Sequence, residues 1–182
     1  EAPMRRDMLC HWMSTAKPVA AIAIGQLLDR QLLSLASPVA THIPEFGCHG
    51  KEAVLVEHLL THTSGFPFAD SECWRDSMGD WSRVLDAICR ARLEKDWVPG
   101  ERAGYHPSSS WFVLGELVRR CDGRPFEQYV RECIFEPLGM HDCHIGMGEA
   151  ACARYMNEGR IAELSTRGIA AARDDGFATP AA

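Results

Sequence analysis

The chain has 182 residues, of which 46% are hydrophobic and 24% charged, and its net charge is −6. These values are typical of one globular domain with a sizeable core, and without a lysine- or arginine-rich cluster they argue against nucleic acid as a partner. The longest apolar run, residues 19–28, is too short for the ~20 residues of a membrane span, so no span is expected. No apolar stretch follows the charged start, so no export signal is predicted and the cytoplasm is the favoured compartment.

Apolar periodicity predicts a mainly helical chain. The first helix is expected from residue 14 to residue 32 or 33, with its packed face made of Val19, Ile22, Ala23, Leu27 and Leu28. Further helices are expected at residues 54–62, 81–93, 108–121 and 125–135. Strand-like alternation is almost absent, and the pattern weakens beyond residue 147. We therefore expect a helical region at 1–147 and a weakly patterned extension of the same domain at 148–182.

Ser14 and Lys17 stand at the start of the first predicted helix. Their spacing of three residues places the hydroxyl and the amine on one helix face, a single turn apart. A serine hydroxyl becomes a good nucleophile when a neighbouring base takes its proton, and a lysine can do so if it is neutral part of the time. The S-x-x-K pattern therefore indicates a candidate acyl-accepting serine.

The cysteines and histidines are the residues that could form disulfides or bind a metal ion. The eight cysteines are scattered without a C-x-x-C pair, which predicts reduced and mostly buried thiols. The stretch 141–144 reads His-Asp-Cys-His, but no second cluster has zinc-site spacing, so neither a metal nor a cofactor is expected. His58 and His62 lack the order of an H-E-x-x-H motif, and we expect both to be structural, with His62 closing a helix end.

Five segments between residues 7 and 140 carry a resemblance to a known family. They are Ser14-Thr15-Ala16-Lys17-Pro18, the passage 33–39 with 43–46, the stretch Glu57-His58-Leu59-Leu60-Thr61-His62-Thr63-Ser64-Gly65-Phe66, the loop Pro99-Gly100-Glu101-Arg102-Ala103-Gly104-Tyr105, and Phe135-Glu136-Pro137-Leu138-Gly139-Met140. In content and order they resemble the serine β-lactamase and D-alanyl-D-alanine peptidase superfamily, in its class C-like, esterase-like branch. The resemblance implies that the chain is the helical part of an α+β fold and that most of the antiparallel sheet is missing.

The resemblance also implies roles for individual residues. Ser14 would be the acylated nucleophile, Lys17 its activating partner, and Tyr105 the group that relays a proton to the leaving group. A tyrosine with a pKa near ~10 acts as a base only beside a cation, which the Lys17 ammonium would supply. His106, next to Tyr105, and Trp111, as a cleft-wall residue, are the candidates for contact with substrate.

Two departures from the family pattern affect the expected chemistry. Pro107 stands where the Tyr-x-Asn motif has its asparagine, which weakens the case for β-lactam or peptide turnover and leaves ester hydrolysis or acyl transfer more open. The Lys-Thr-Gly or His-x-Gly motif of a site-lining strand has no counterpart, and that strand also supplies one oxyanion donor. A helix face meant for the sheet would then be exposed, which predicts self-association.

These observations leave two functional hypotheses. The first is a serine hydrolase, of esterase, amidase or acyl-transferase type, which converts a small ester or amide through an acyl-Ser14 intermediate. The second is a non-catalytic, shortened homologue that serves as an interaction module. The intact Ser14, Lys17 and Tyr105 set favours the first hypothesis, whereas the missing third motif favours the second.

Overall fold

Six α-helices provide most of the regular structure in residues 3–74 and 76–162, the parts of the chain that this computed structural model describes. They are α1 (Lys17–Asp29), α2 (Val56–Leu60), α3 (Trp81–Arg90), α4 (Ser109–Asp122), α5 (Phe126–Val130), which continues as a π-helical turn at Arg131–Phe135, and α6 (Glu149–Asn157). Within the same residues, β structure is limited to two isolated bridges, Leu9 with Ile161 and Pro38 with Leu55. The prediction of a mainly helical chain is confirmed.

The described residues fall into two compact units. One comprises residues 14–145, and the other comprises residues 3–13 together with residues 146–162. The second unit contains α6 and a parallel bridge in which Leu9 N donates to Arg160 O and Ala162 N donates to Leu9 O at 2.8 Å. Helix α6 was missed from the sequence because Tyr155 is its single buried side chain, so the helix has little apolar periodicity. The rest of the predicted extension, residues 163–182, lies outside the described residues.

Helix α4 is the centre of the larger unit and packs against α1, α2, α3 and α5. Its central residues are buried, and Gly115 lets the ring of Trp81 approach the helix backbone, where a Cβ atom would lie 2.6 Å from the ring. Glu116 accepts hydrogen bonds from Trp81 Nε1 at 2.8 Å and from Arg120 Nε at 2.8 Å. This carboxylate therefore ties α3 to α4.

Helix α1 is shorter than predicted, and its packed face is only partly the expected one: Val19, Ala23 and Leu27 are buried, whereas Ile22 and Leu28 are not. A 3₁₀ turn, Met13–Ala16, precedes it, and it ends at Asp29, after which Gln31 has a φ of +58°. The buried residues of α1 are Val19, Ala20, Ala23, Ile24 and Leu27. Ile22, which we placed in the packed face, is 50% exposed, because at about 100° per residue it lies roughly 130° from the centre of that buried stripe.

The remaining structural expectations concern cysteines and membranes. All eight cysteines lie among the described residues as free thiols, but only Cys73 and Cys89 are buried, so the expectation of mostly buried thiols was wrong. In the part of the chain that the structure describes, no helix combines the length and the apolar character required to traverse a bilayer.

Candidate active site

Ser14, Lys17 and Tyr105 lie together in the larger unit. Ser14 belongs to the 3₁₀ turn that leads into α1, and Lys17 is the first residue of that helix. Lys17 Nζ donates a hydrogen bond to Ser14 Oγ at 3.0 Å, and Ser14 Oγ is also hydrogen-bonded to Tyr105 OH. Tyr105 comes from the loop between α3 and α4, 91 residues further along the chain. The serine hydroxyl thus contacts both an amine and a phenol.

The Lys17 amine is held by more than the serine. Its Nζ donates to the backbone carbonyl of Pro107 at 2.8 Å, and it lies 5.0 Å from the centroid of the Tyr105 ring and 5.5 Å from that of Trp111. A lysine cation near the faces of aromatic rings is stabilised electrostatically. Pro107 therefore contacts the lysine through its backbone carbonyl.

The environment of Tyr105 favours its ionised form. The hydrogen bond from Ser14 is the largest cause of a lowered pKa, followed by hydrogen bonding to Lys17 and the charge of that residue, while desolvation opposes the shift. A phenol whose pKa is lowered in this way is a better proton acceptor near neutral pH. The side chain is 54% exposed, so it remains accessible from solvent.

His106 lies in the interior beneath the Tyr105 loop. Its side chain is 0% exposed, with Nδ1 donating to Gly104 O at 2.6 Å and Nε2 accepting from Phe66 N at 3.1 Å. Ser64 Oγ also contacts Nε2, at 3.1 Å. Burial lowers the pKa of His106 to about 4, so the imidazole is neutral. This position differs from the expected contact with substrate, because the ring is buried and both of its nitrogens are engaged within the protein, by backbone groups of Gly104 and Phe66 and by the Ser64 hydroxyl.

Trp111 lies at the beginning of α4, where its ring is half-buried. Its Nε1 donates to His106 O at 3.2 Å, and its ring faces both Lys17 and His62. The side chain therefore forms part of the wall around the lysine amine. Contact between Trp111 and a substrate stays a prediction.

His62 is a contributor to the site that the sequence analysis placed only at a helix end. Its Nδ1 accepts from His106 N at 3.0 Å, its carbonyl accepts from Gly104 N at 2.9 Å, and its ring centroid lies 4.9 Å from that of Tyr105. Helix spacing predicts that His62 lies near His58, but it cannot predict a contact with Tyr105, which is 43 residues further along the chain. The only sequence signal was its place in the recognised stretch 57–66.

Residues that could bind a metal ion do not cluster in the described part of the chain. Within residues 3–74 and 76–162, no three His, Cys, Asp or Glu side chains converge in a way that could hold a metal ion. The residues of the cluster are instead a serine, a lysine and a tyrosine, which form a chain of proton donors and acceptors. Such a chain is suited to acyl transfer through a serine nucleophile.

The helical scaffold brings a serine hydroxyl, a lysine amine and a tyrosine phenol into hydrogen-bond contact. Comparison with known proteins identifies the family, since the family model for Beta-lactamase matches residues 1–182. The chain belongs to the Beta-lactamase family, and the resemblance seen in the sequence is confirmed.

Three relatives illustrate the match. Esterase EstB of Burkholderia gladioli is 35% identical over 156 residues, which covers 78% of this chain and 39% of the esterase. The crystal structure of a family VIII carboxylesterase has a TM-score of 0.76 and 29% identity, covering 91% of this chain and 43% of that one. A penicillin-binding protein homologue from Caulobacter crescentus has a TM-score of 0.72 and 32% identity, covering 91% and 42% respectively.

The share of each relative that is matched indicates that this chain represents one part of the family fold. The chain spans about two fifths of the length of the relatives it matches, with 39%, 43% and 42% of each covered. The regular structure of the described residues is almost entirely helical. The prediction that they form the helical part of the family fold is confirmed.

Proposed function

We propose that the chain is a serine hydrolase that forms an acyl-enzyme on Ser14 and acts on small esters or amides, with esters favoured. The observation that carries the proposal is the double contact of one oxygen: Ser14 Oγ accepts from Lys17 Nζ at 3.0 Å and is hydrogen-bonded to Tyr105 OH. The similarity to an esterase, a carboxylesterase and a penicillin-binding protein homologue supports the same reaction class.

The proposed reaction has two halves. In the first, ionised Tyr105 takes the Ser14 proton while Ser14 Oγ attacks the carbonyl carbon of the substrate. The tetrahedral intermediate then expels the alcohol or amine, which receives the proton from Tyr105, and leaves acyl-Ser14. In the second half, water or another acceptor loses a proton to Tyr105 and attacks the acyl carbonyl. The departing Ser14 Oγ then receives that proton from Tyr105, which restores the free serine and the ionised tyrosine. The Lys17 cation stabilises ionised Tyr105 in both halves.

The environment of Pro107 supports esters over amides. An amide anion is a poorer leaving group than an alkoxide, so the nitrogen of an amide must be protonated before it departs and amide cleavage requires more assistance. The family asparagine that would give this assistance is replaced by a residue without a side-chain amide. The carbonyl of Pro107 is engaged by Lys17 at 2.8 Å. We therefore expect acyl transfer from activated esters to be faster than from the matching amides.

The test is intact-protein mass spectrometry after brief incubation with a p-nitrophenyl ester. We expect a single acyl adduct on the wild-type chain, none on Ser14→Ala, and an unchanged adduct on Ser82→Ala, a control at an exposed serine of α3. No adduct on a folded wild-type chain, or an adduct that survives Ser14→Ala, contradicts the proposal.

A second candidate function is an interaction module without catalysis. It is favoured by the absence of a Lys-Thr-Gly or His-x-Gly strand among the described residues and by the exposure of Ile22 on α1. This alternative expects no acyl adduct and a sedimentation coefficient that rises with protein concentration. An acyl adduct on a chain whose sedimentation does not change with concentration rejects it.

A further inference from the structure

His62 holds the loop that carries Tyr105 at two points. The peptide N–H of Gly104 donates to the His62 carbonyl at 2.9 Å, and the peptide N–H of His106 donates to His62 Nδ1 at 3.0 Å. These two N–H groups belong to the residues on either side of Tyr105. Because both bonds come from a single residue, the backbone at Tyr105 is fixed relative to the end of α2.

The His62 ring also packs against the loop. Its centroid lies 4.9 Å from that of Tyr105, 5.6 Å from that of Trp111 and 5.9 Å from that of His106. His62 itself has a φ of +60°, a left-handed conformation that asparagine tolerates better than most residues. The chain thus accepts an unfavourable backbone conformation at the residue that reaches the Tyr105 loop.

We propose that His62 is a positioning residue, whose carbonyl and imidazole hold the two peptide N–H groups around Tyr105 and so keep the Tyr105 phenol against Ser14 and Lys17. The proposal rests on the proposed function, since positioning matters to the reaction only if Tyr105 transfers the Ser14 proton. It differs from a purely structural role, because His62 acts through the geometry of one catalytic group.

The role requires His62 to be neutral. Nδ1 can accept from His106 N only while it carries no proton, and protonation would turn two N–H groups toward each other. The titratable groups that face the ring are Lys17, Tyr105 and His106. Burial, and then the charge of Lys17, lower the pKa of His62, which keeps the ring neutral at pH 7. Acid would therefore release the Tyr105 loop.

The test compares two substitutions at His62. His62→Asn keeps an acceptor near the position of Nδ1, suits the positive φ and cannot be protonated, whereas His62→Leu fills similar space without an acceptor. His58→Asn is the matched control, because His58 lies in α2 and its Nδ1 likewise accepts from a backbone group, Leu55 N at 3.2 Å, but takes no part in the contacts of Tyr105 described above. All variants are first checked for folding by thermal denaturation.

The first readout is the pKa of Tyr105. It is measured by NMR titration of protein labelled with 13C at the tyrosine ζ carbon, and the Tyr105 signal is assigned by its absence in Tyr105→Phe. We expect His62→Leu to raise this pKa toward the ordinary ~10 and both asparagine variants to leave it unchanged. An unchanged Tyr105 pKa in folded His62→Leu overturns the proposal. This readout needs no turnover, so it stands even if Ser14 is never acylated and the proposed function fails.

The second readout is the rate of Ser14 acylation against pH. We expect His62→Leu to slow acylation by about 10²-fold, a loss typical of a misplaced catalytic group, and His62→Asn to stay close to wild type at pH 7. Both proteins should lose rate in acid as Tyr105 itself is protonated, but the wild type should show an additional fall on protonation of His62 that His62→Asn lacks. If the pH profile of His62→Asn has the same additional fall as the wild type, or if this variant slows as much as His62→Leu at pH 7, the acceptor role is overturned. The asparagine variant decides this alone if His62→Leu does not fold.

Discussion

At the scale of single residues, the site depends on how Lys17 is shared between a hydroxyl and a backbone carbonyl. Its Nζ donates to Ser14 Oγ at 3.0 Å and to Pro107 O at 2.8 Å, and it lies near the Tyr105 ring. The lysine therefore acts on both other members of the cluster. It orients the serine oxygen, and its charge favours the ionised form of the tyrosine.

Replacing Lys17 with methionine should remove both effects while keeping a side chain of similar length. We expect the pKa of Tyr105 to rise toward ~10, since a hydrogen bond and a positive charge that favour ionisation are lost. Acylation of Ser14 should slow by about 10² to 10⁴-fold, the usual contribution of acid–base assistance. Stopped-flow acylation kinetics and tyrosine NMR measure the two quantities.

Lys95→Met is the matched control, because Lys95 is exposed in the loop after α3 and takes no part in the contacts of Ser14, Lys17 and Tyr105 described above. It should leave the rate of acylation and the pKa of Tyr105 at wild-type values. A folded Lys17→Met chain with wild-type acylation kinetics would show that the lysine is not part of the reaction.

Among the elements of the fold, the turn after α2 holds His106, the buried residue beneath the Tyr105 loop. Ser64 contacts His106 from this turn, and Phe66 N donates to the same imidazole. Gly65 lies between them with a φ of +87°, and a Cβ atom there would lie 2.4 Å from Cδ1 of Trp97. The turn thus requires glycine for two reasons, its conformation and the close approach of an indole ring.

Alanine substitutions at two glycines should separate these reasons. Gly123 ends α4 with a φ of +91° and has no heavy atom within 4 Å of a Cβ position, so Gly123→Ala carries only the conformational cost, roughly 1–2 kcal/mol. Gly65→Ala adds crowding against Trp97 and should cost about 1–3 kcal/mol more. Urea denaturation gives both free energies of unfolding, and equal losses would contradict the importance of the Trp97 contact.

For the whole molecule, the buried His106 links the stability of the fold to pH. Burial lowers its pKa to about 4 in the folded chain, whereas an unfolded histidine titrates near 6.5. Below about 6.5 the unfolded chain therefore binds a proton that the folded chain does not, so acid favours unfolding. His62 contributes in the same direction, since its pKa is also lowered by burial.

The free energy of unfolding should accordingly fall as the pH is lowered from 6.5 to 4. The loss due to His106 is expected to be on the order of 3 kcal/mol, and urea denaturation at a series of pH values measures it. A separate loss should follow at lower pH, because Arg124 and Arg30 hold the pKa of Asp122 at about 2, below its ordinary 3.8. Stability that stays constant between pH 6.5 and 4 would contradict the buried, neutral His106.

The domain organisation of the chain is also a property of the whole molecule. The division that the sequence predicts at residue 147 stays a prediction. In the described residues, the unit that contains residues 146–162 also includes residues 3–13, through the bridge between Leu9 and Ile161. We propose that residues 3–13 and 146–162 be treated as one unit in any dissection of the chain, because the backbone bonds of that bridge join them.

Several features could be read from the sequence because their physical causes are local. The Ser14 and Lys17 contact follows from helix spacing, and the main helices follow from apolar periodicity and from Gly123, which ends α4 in a left-handed conformation. The family could be recognised from the order of its segments, and from it Tyr105 was inferred. The helices and the Ser14–Lys17 contact could be predicted because neighbouring residues specify them, whereas Tyr105 was inferred from the family resemblance.

Tertiary structure alone decided which residues meet across the chain. It buried His106 among backbone groups from another turn, exposed Ile22 on α1, and brought His62 against the Tyr105 loop. The physical reason is that helix periodicity records which residues share a face but not which face a distant element covers. The sequence by itself therefore determined the fold class and the Ser14–Lys17 pair, whereas packing decided how Tyr105 is held against that pair.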